Sequence, residues 1–152
     1  MEIDSLSLSP MMRQWHECKQ SARGALLLFR LGDFYEAFEE DAQILAQELE
    51  IVLTKRQSTP MAGIPVHSCE VYIDKLLQKG YKIALAEQLE QANASKGLVK
   101  RAIVRTLSPG GVVTSSLISD KSSNFIVCLS KINSLFGLAI LDITTADFRI
   151  LE

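Results

Sequence analysis

An apolar run, Ala25-Leu26-Leu27-Leu28-Phe29-Arg30-Leu31, stops at Gly32 and gives way within a few residues to a helical pattern. No other stretch constrains the fold as much. A short apolar run bounded by a turn residue reads as a buried strand. Between residues 36 and 50, Phe38, Ala42, Leu45 and Leu49 recur at i, i+4, i+7 and i+11, one apolar face of an amphipathic helix. Glu39, Glu40 and Glu48 are left for the solvent side, so the acidic run reads mostly as a solvated face. A buried strand beside an amphipathic helix calls for layers of helix on sheet, the α/β class.

The alternation continues along the chain. Residues 11–21 form a short helix beginning after Ser9-Pro10, since proline is tolerated at a first helical position. Residues 26–30 are the buried strand and 51–54 a second short one, and 55–65, rich in Pro, Gly and Ser, reads as a loop. Helical spacing returns over 68–79 through Tyr72, Ile73, Leu76 and Leu77, with Gly80 suited to the C′ position. Residues 81–86 and 102–107 read as strands, 108–111 as a turn, and 119–124 as a linker by composition. Three short strands separated by tight turns follow, at 125–130, 136–143 and 146–151.

The first junction carries Gly32-Asp33-Phe34-Tyr35-Glu36. An aromatic ring and a carboxylate two positions apart at a strand-to-helix junction can enter a nucleic-acid groove together, the ring between bases and the carboxylate at a base edge. A purely structural reading stands beside it. Asp33 can act as a helix N-cap with Glu36 reaching back to its N–H, and Phe34 can serve as a staple or core residue.

Composition narrows the classes. The 152 residues, 47% apolar and 22% charged, suit one globular domain plus a remainder. A net charge of −2 argues against strong autonomous DNA binding, because clustered Lys and Arg supply most non-specific affinity. The charge is uneven, however: residues 33–50 hold seven acids and no base, whereas 91–119 hold Lys96, Lys100, Arg101 and Arg105 and no acid, leaving room for a local basic edge. Cys18, Cys69 and Cys128 are widely spaced, which indicates neither a disulfide framework nor a zinc site. His67, alone ahead of a helix, fits a capping or surface role. The first ten residues lack the apolar core of a secretion signal, and no apolar stretch approaches the ~18 residues of a membrane span. A cytoplasmic chain without membrane contact is expected.

Four motifs stand in order: Ser9-Pro10-Met11-Met12, then Leu28-Phe29-Arg30-Leu31-Gly32-Asp33-Phe34-Tyr35-Glu36, then Thr54-Lys55-Arg56, then Pro60-Met61-Ala62-Gly63-Ile64-Pro65. Together they closely resemble the N-terminal mismatch-recognition domain of the MutS family of DNA mismatch-repair proteins, from about Pro10 to the chain end. The resemblance implies a mixed β-sheet flanked by helices over residues 1–118. After the linker at 119–124 it implies a truncated start of the connector domain at 125–152, the opening strands of an incomplete RNase H-like fold in a longer protein.

The same resemblance assigns roles. Phe34 would be a wedge entering the minor groove at a mispaired or looped base, and Glu36 would contact that base's edge. The Thr54-Lys55-Arg56 and Met61–Pro65 segments would lie beside the wedge along the DNA backbone. There Arg56 can bond phosphate oxygens and Gly63 lets main chain approach closely. Arg56 could instead pair with the acidic helix face, and Met61 could pack in the core or touch a sugar. Lys100, Arg101 and Arg105 are further backbone candidates, 101 and 105 sharing one face of a regular strand. Solvated edge charges explain them equally well.

Implied partners are double-stranded DNA with mismatches or small loops, a second copy of the full-length protein and a MutL-like repair partner, in the cytoplasm at the nucleoid. The fragment is expected to be non-catalytic and to need neither metal nor cofactor. ATP and Mg belong only to the full-length protein, since no G-x-x-x-x-G-K-[ST] occurs here. Two other functions compete. A nuclease would use Asp142 and Asp147 but lacks a paired-acid motif. A protein-interaction domain without DNA contact would use the acidic helix as a docking surface.

Overall fold

Residues 8–89, 99–109, 125–143 and 145–152 are described in a computed structural model of the chain. Helix α1 (Pro10–Ser21) starts as its sequence demands: the Ser9 hydroxyl accepts from the Met12 N–H at 3.3 Å, and Pro10 sits in the first turn, where a missing N–H costs nothing. Its buried face is Met12, Trp15 and Cys18. Arg23 and Gly24, both at positive φ, turn the chain into β1 (Leu26–Leu31).

The sequence after Gly32 departs from the expected helix start. Gly32 (φ +61) and Asp33 form a two-residue loop, with Leu31 opposite Phe34, and the chain doubles back as β2 (Phe34–Phe38). Glycine at the first loop position is the pattern of a type II′ hairpin. Helix α2 (Glu39–Leu49) begins only afterwards, with Glu39, Glu40 and Asp41 in its first turn, where acids complement the helix dipole. The N-cap role proposed for Asp33 and the capping-box role for Glu36 are therefore absent. Glu50, left-handed at φ 55, ends α2.

The stretch expected as a loop is also a hairpin. Residues 51–53 carry no regular element; β3 (Thr54–Arg56) and β4 (Thr59–Pro65) pair antiparallel around Gln57-Ser58, with Gln57 at φ 57. Pro60 and Pro65 stand near the two ends of β4, where a missing donor breaks few ladder bonds. A single 3₁₀ turn (Val66–Ser68) leads into α3 (Cys69–Gln78), and Gly80 at φ +91 takes the expected C′ position. Strands β5 (Ile83–Gln88) and β6 (Arg101–Leu107) complete the sheet.

The strand order is β3-β4-β2-β1-β5-β6; β1 and β5 run parallel and every other pair antiparallel, so the sheet is mixed and flanked by helices, as expected. Leu26 to Phe29 of β1 are all buried, as a central strand covered on both faces requires. Toward α1, Trp15, Leu27, Phe29, Phe38, Ala84 and Ala86 form one cluster, with Trp15 edge-on to Phe38 at 5.8 Å. Each large side chain so buried contributes roughly 1.5–3 kcal/mol.

Asp41 modifies the picture of a solvated acidic run. It is buried; its carboxylate accepts from the Leu27 N–H at 2.9 Å and from Lys19 Nζ at 2.7 Å, while Lys19 also donates to the Ala25 carbonyl. One ion pair thus ties α1, α2 and the start of β1 together.

The chain divides into two units, residues 1–108 and 109–152. The second contains β7 (Phe125–Ile132), β8 (Leu135–Asp142) and β9 (Phe148–Leu151), an antiparallel meander in the order β7-β8-β9. The expected linker at 119–124 and the domain limit at 118 lie outside the described residues, as do residues 110 and 111 of the expected turn.

Candidate nucleic-acid interface

Strand geometry decides which side chains meet here. Residues opposite each other in a ladder share a sheet face, and alternate residues along a strand share it too. On β2, Phe34, Glu36 and Phe38 therefore point to one face and Tyr35 and Ala37 to the other. Register carries the first set across the sheet: Phe34 lies opposite Pro65, Glu36 opposite Gly63, Phe38 opposite Met61, and Met61 opposite Thr54, which shares its face with Arg56. Five residues singled out from sequence, Phe34, Glu36, Arg56, Met61 and Gly63, thus occupy one face of β2, β4 and β3. The register adds Leu31 and Pro65 as flanks of Phe34; the Gly32-Asp33 hairpin signal could have revealed Leu31, whereas Pro65 depends on the pairing of β2 with β4.

Burial grades along this face. Phe38 is fully buried beneath α1, Met61 packs against the same cluster, Glu36 is nearly enclosed, and Phe34, next to the hairpin loop, is 46% exposed. An aromatic ring left in water beside a buried core is the unusual member. The loop bearing it is anchored, since the Asp33 carbonyl accepts from the Val66 N–H at 2.9 Å.

Tyr35 braces the hairpin from behind. It is buried, and its hydroxyl donates to Glu87, which also lies 3.8 Å from the Arg30 guanidinium. Burial, with the Glu87 hydrogen bond second, pushes the Tyr35 phenol up. The short side-chain tie to β5 fixes the strand that presents Phe34 and Glu36 on the opposite side.

Glu36 is the electrostatic centre of the face. Burial pushes its carboxyl above the ordinary carboxylate range, and Arg56 draws it back down. Arg56 NH1 stands 3.5 Å from Glu36 Oε2, and that oxygen has no hydrogen-bond partner among the described residues. Arg56 pairs with Glu36 rather than with the acidic face of α2. The acids there have other partners: Glu48 with Lys79 and Tyr81, Glu39 with His16. Gly63 leaves space beside Glu36.

The basic candidates divide. Lys100 and Arg105 are exposed, whereas Arg101 is 8% exposed, its Nε donating to the Arg30 carbonyl at 2.6 Å and its NH1 to the Val99 carbonyl at 2.8 Å, with the guanidinium over the Phe29 ring. Arg101 and Arg105 do not share a face. The ladder slips by one residue between Leu85↔Arg105 and Ala86↔Ile103, a bulge that turns the two arginines to opposite sides. Held inside by two carbonyls, Arg101 is a packing residue in this fold and is not presented to a ligand.

His67 is exposed, and among the described residues no cluster of His, Cys, Asp or Glu could hold a metal ion. Asp142 is buried in β8 with its N–H bonded to the Asp147 carbonyl, while the Asp147 carboxylate pairs with Arg149. Among the described residues, no helix is long and apolar enough to cross a membrane.

Residues 9–116 match the family model described as MutS domain I. Among curated proteins, the chain is 56% identical over 150 residues to the DNA mismatch repair protein MutS of Protochlamydia amoebophila, covering 99% of the chain and 18% of that protein. It is 50% identical over 145 residues to MutS of Chlamydia muridarum (95% and 18%). With MutS of Caldanaerobacter subterraneus subsp. tengcongensis it shares 45% over 152 residues (97% and 18%). The chain therefore spans about a fifth of the length of these relatives.

Proposed function

The chain belongs to the MutS family through its domain I, and on that premise we propose that it recognises mismatched or looped bases in double-stranded DNA. The observation that carries the reading is the shared face of Phe34 and Glu36: an exposed ring beside a hairpin loop, with a carboxylate one step further along the same side of the strand.

The mechanism is mechanical and involves no bond breaking. A mispaired base stacks and pairs poorly, so kinking the duplex there costs less than at a matched site. Phe34 enters from the minor groove and stacks on the mispaired base. Glu36 contacts the edge of that base. A carboxylate among phosphates is disfavoured when ionised, and burial already favours its neutral form, so it binds as the acid and donates a hydrogen bond. At a matched pair it meets no free edge and repels, which penalises the wrong target. Arg56 supplies a phosphate contact beside the wedge, Lys100 and Arg105, the latter on the other face of the edge strand β6, supply more distant ones, and Gly63 permits the close approach.

The same reading makes the β7-β8-β9 meander the start of an RNase H-like connector. It also places the full-length protein as a homodimer working with a MutL-like partner, its ATPase outside this chain. Fluorescence titration of the chain with matched, mismatched and single-base-loop duplexes at low salt tests the proposal. Tighter binding to the mismatched and looped duplexes is expected; equal binding to all three rejects it.

A further inference from the structure

Arg56 and Glu36 stand on strands that are not neighbours, since β4 lies between β3 and β2. Their side chains meet nevertheless, NH1 to Oε2 at 3.5 Å, with Arg56 45% and Glu36 13% exposed. At that distance the contact is an ion pair without a good hydrogen bond, and Oε2 accepts none from elsewhere among the described residues. Gly63, opposite Glu36 on the intervening strand, places no side chain between them.

Among the described residues the guanidinium is thus held by this one long contact, and its side chain is nearly half exposed. Its planar fork fits a phosphate with two parallel N–H bonds, a stronger arrangement than the one it has with Glu36. Resting on the mismatch-recognition reading and deepening it, we infer that Arg56 is a positioning residue for Glu36: it holds the carboxylate in the free domain and exchanges it for a DNA phosphate on binding.

Two consequences follow for discrimination. Once Arg56 has turned to phosphate, Glu36 faces the base edge without its counter-charge, so repulsion at a matched pair is undiminished and a mispaired base becomes the partner it lacks. Arg101, over the Phe29 ring opposite Glu36, is fixed by two carbonyls and does not replace Arg56. Arg56 therefore acts on mismatch preference through Glu36, whereas its phosphate contact alone affects both duplexes alike.

The test compares the wild-type chain with Arg56→Gln, Glu36→Gln and the double variant. Carboxyl NMR of the DNA-free chain should show Glu36 titrating at higher pH in Arg56→Gln than in wild type. With DNA, Arg56→Gln should lower the mismatched-to-matched affinity ratio by about twofold or more, the lower end of coupling between touching side chains, while leaving the ratio unchanged when residue 36 is already Gln. Arg56→Lys keeps the charge without the fork, and should restore the Glu36 titration but not the ratio. An unmoved Glu36 titration, or the same loss of ratio with Gln at 36, overturns the role of Arg56. A wild-type chain that prefers neither duplex fails the underlying reading and the exchange with it; a preserved preference with additive variants fails Arg56 alone.

Discussion

Glu36 on β2 and Gly63 on β4 are register partners: a Cβ at Gly63 would lie 3.5 Å from Glu36 Cγ and 3.4 Å from the Tyr35 carbonyl oxygen. Those are ordinary contact distances, and the backbone of Gly63 is not left-handed, so the fold alone does not demand glycine there. Gly63→Ala should change stability by less than about 1 kcal/mol. Its cost should fall instead on DNA affinity, because the missing side chain is what lets a ligand's backbone come close. Urea unfolding alongside duplex titration separates the two; a strongly destabilised variant with unaltered affinity contradicts the assignment.

Phe34 and Phe38 share a face of β2 and should respond in opposite ways. Phe38→Ala empties a fully buried site against Trp15 and should cost about 3–5 kcal/mol of stability. Phe34→Ala removes an exposed ring and should leave the unfolding midpoint nearly unchanged. Comparable destabilisation by both would make Phe34 a core residue.

Arg101→Ala should destabilise the domain by roughly 1–3 kcal/mol, because one buried and one partly buried carbonyl lose their donors and Phe29 loses its cover. Arg105→Ala should cost no more than about 0.5 kcal/mol, as exposed substitutions generally do. In DNA titrations Arg105→Ala should weaken matched and mismatched binding alike and reduce the salt dependence. A salt slope unchanged by Arg105→Ala removes that residue from the interface.

The pH dependence of stability has a definite sign. The folded carboxyl of Glu36 lies above its ordinary value of 4.5, so the folded state binds this proton more tightly and ionisation costs stability as pH rises. Glu36→Gln should therefore be more stable than the parent at neutral pH, by a margin that Arg56 limits because it offsets part of the desolvation. The advantage should vanish below pH 4.5, where Glu36 is protonated folded and unfolded alike. Urea unfolding at the two pH values checks this, and a gain that grows on acidification contradicts it.

What could be read from sequence follows physical range. The amphipathic spacing of Ala42, Leu45 and Leu49, the Ser9-Pro10 helix start and the Gly80 stop are local signals, and each appears as read. The two hairpins are not legible in the local pattern. Gly32-Asp33 lies between a strand and a segment whose alternation, Phe34 to Phe38, is short enough to merge with the helix that follows. The prolines of β4 mimic a loop although they occupy the strand's ends. The candidate residues can be picked out of the sequence one by one, but their arrangement in space cannot. That Phe34, Glu36, Gly63 and Arg56 share a face depends on register across three strands, and the separation of Arg101 from Arg105 depends on one bulged residue.

The central claim is that Phe34 supplies stacking and Glu36 supplies discrimination, and one titration series tests it. The chain, Phe34→Ala and Glu36→Gln are each titrated with matched and mismatched duplexes at low salt. Phe34→Ala should lose roughly 1–3 kcal/mol of mismatch affinity with little change on matched DNA. Glu36→Gln, uncharged but still able to hydrogen-bond, should gain more on matched than on mismatched DNA, so its ratio falls for the opposite reason. If both variants keep the wild-type affinities for both duplexes while melting normally, the face built by Phe34 and Glu36 does not read mismatches.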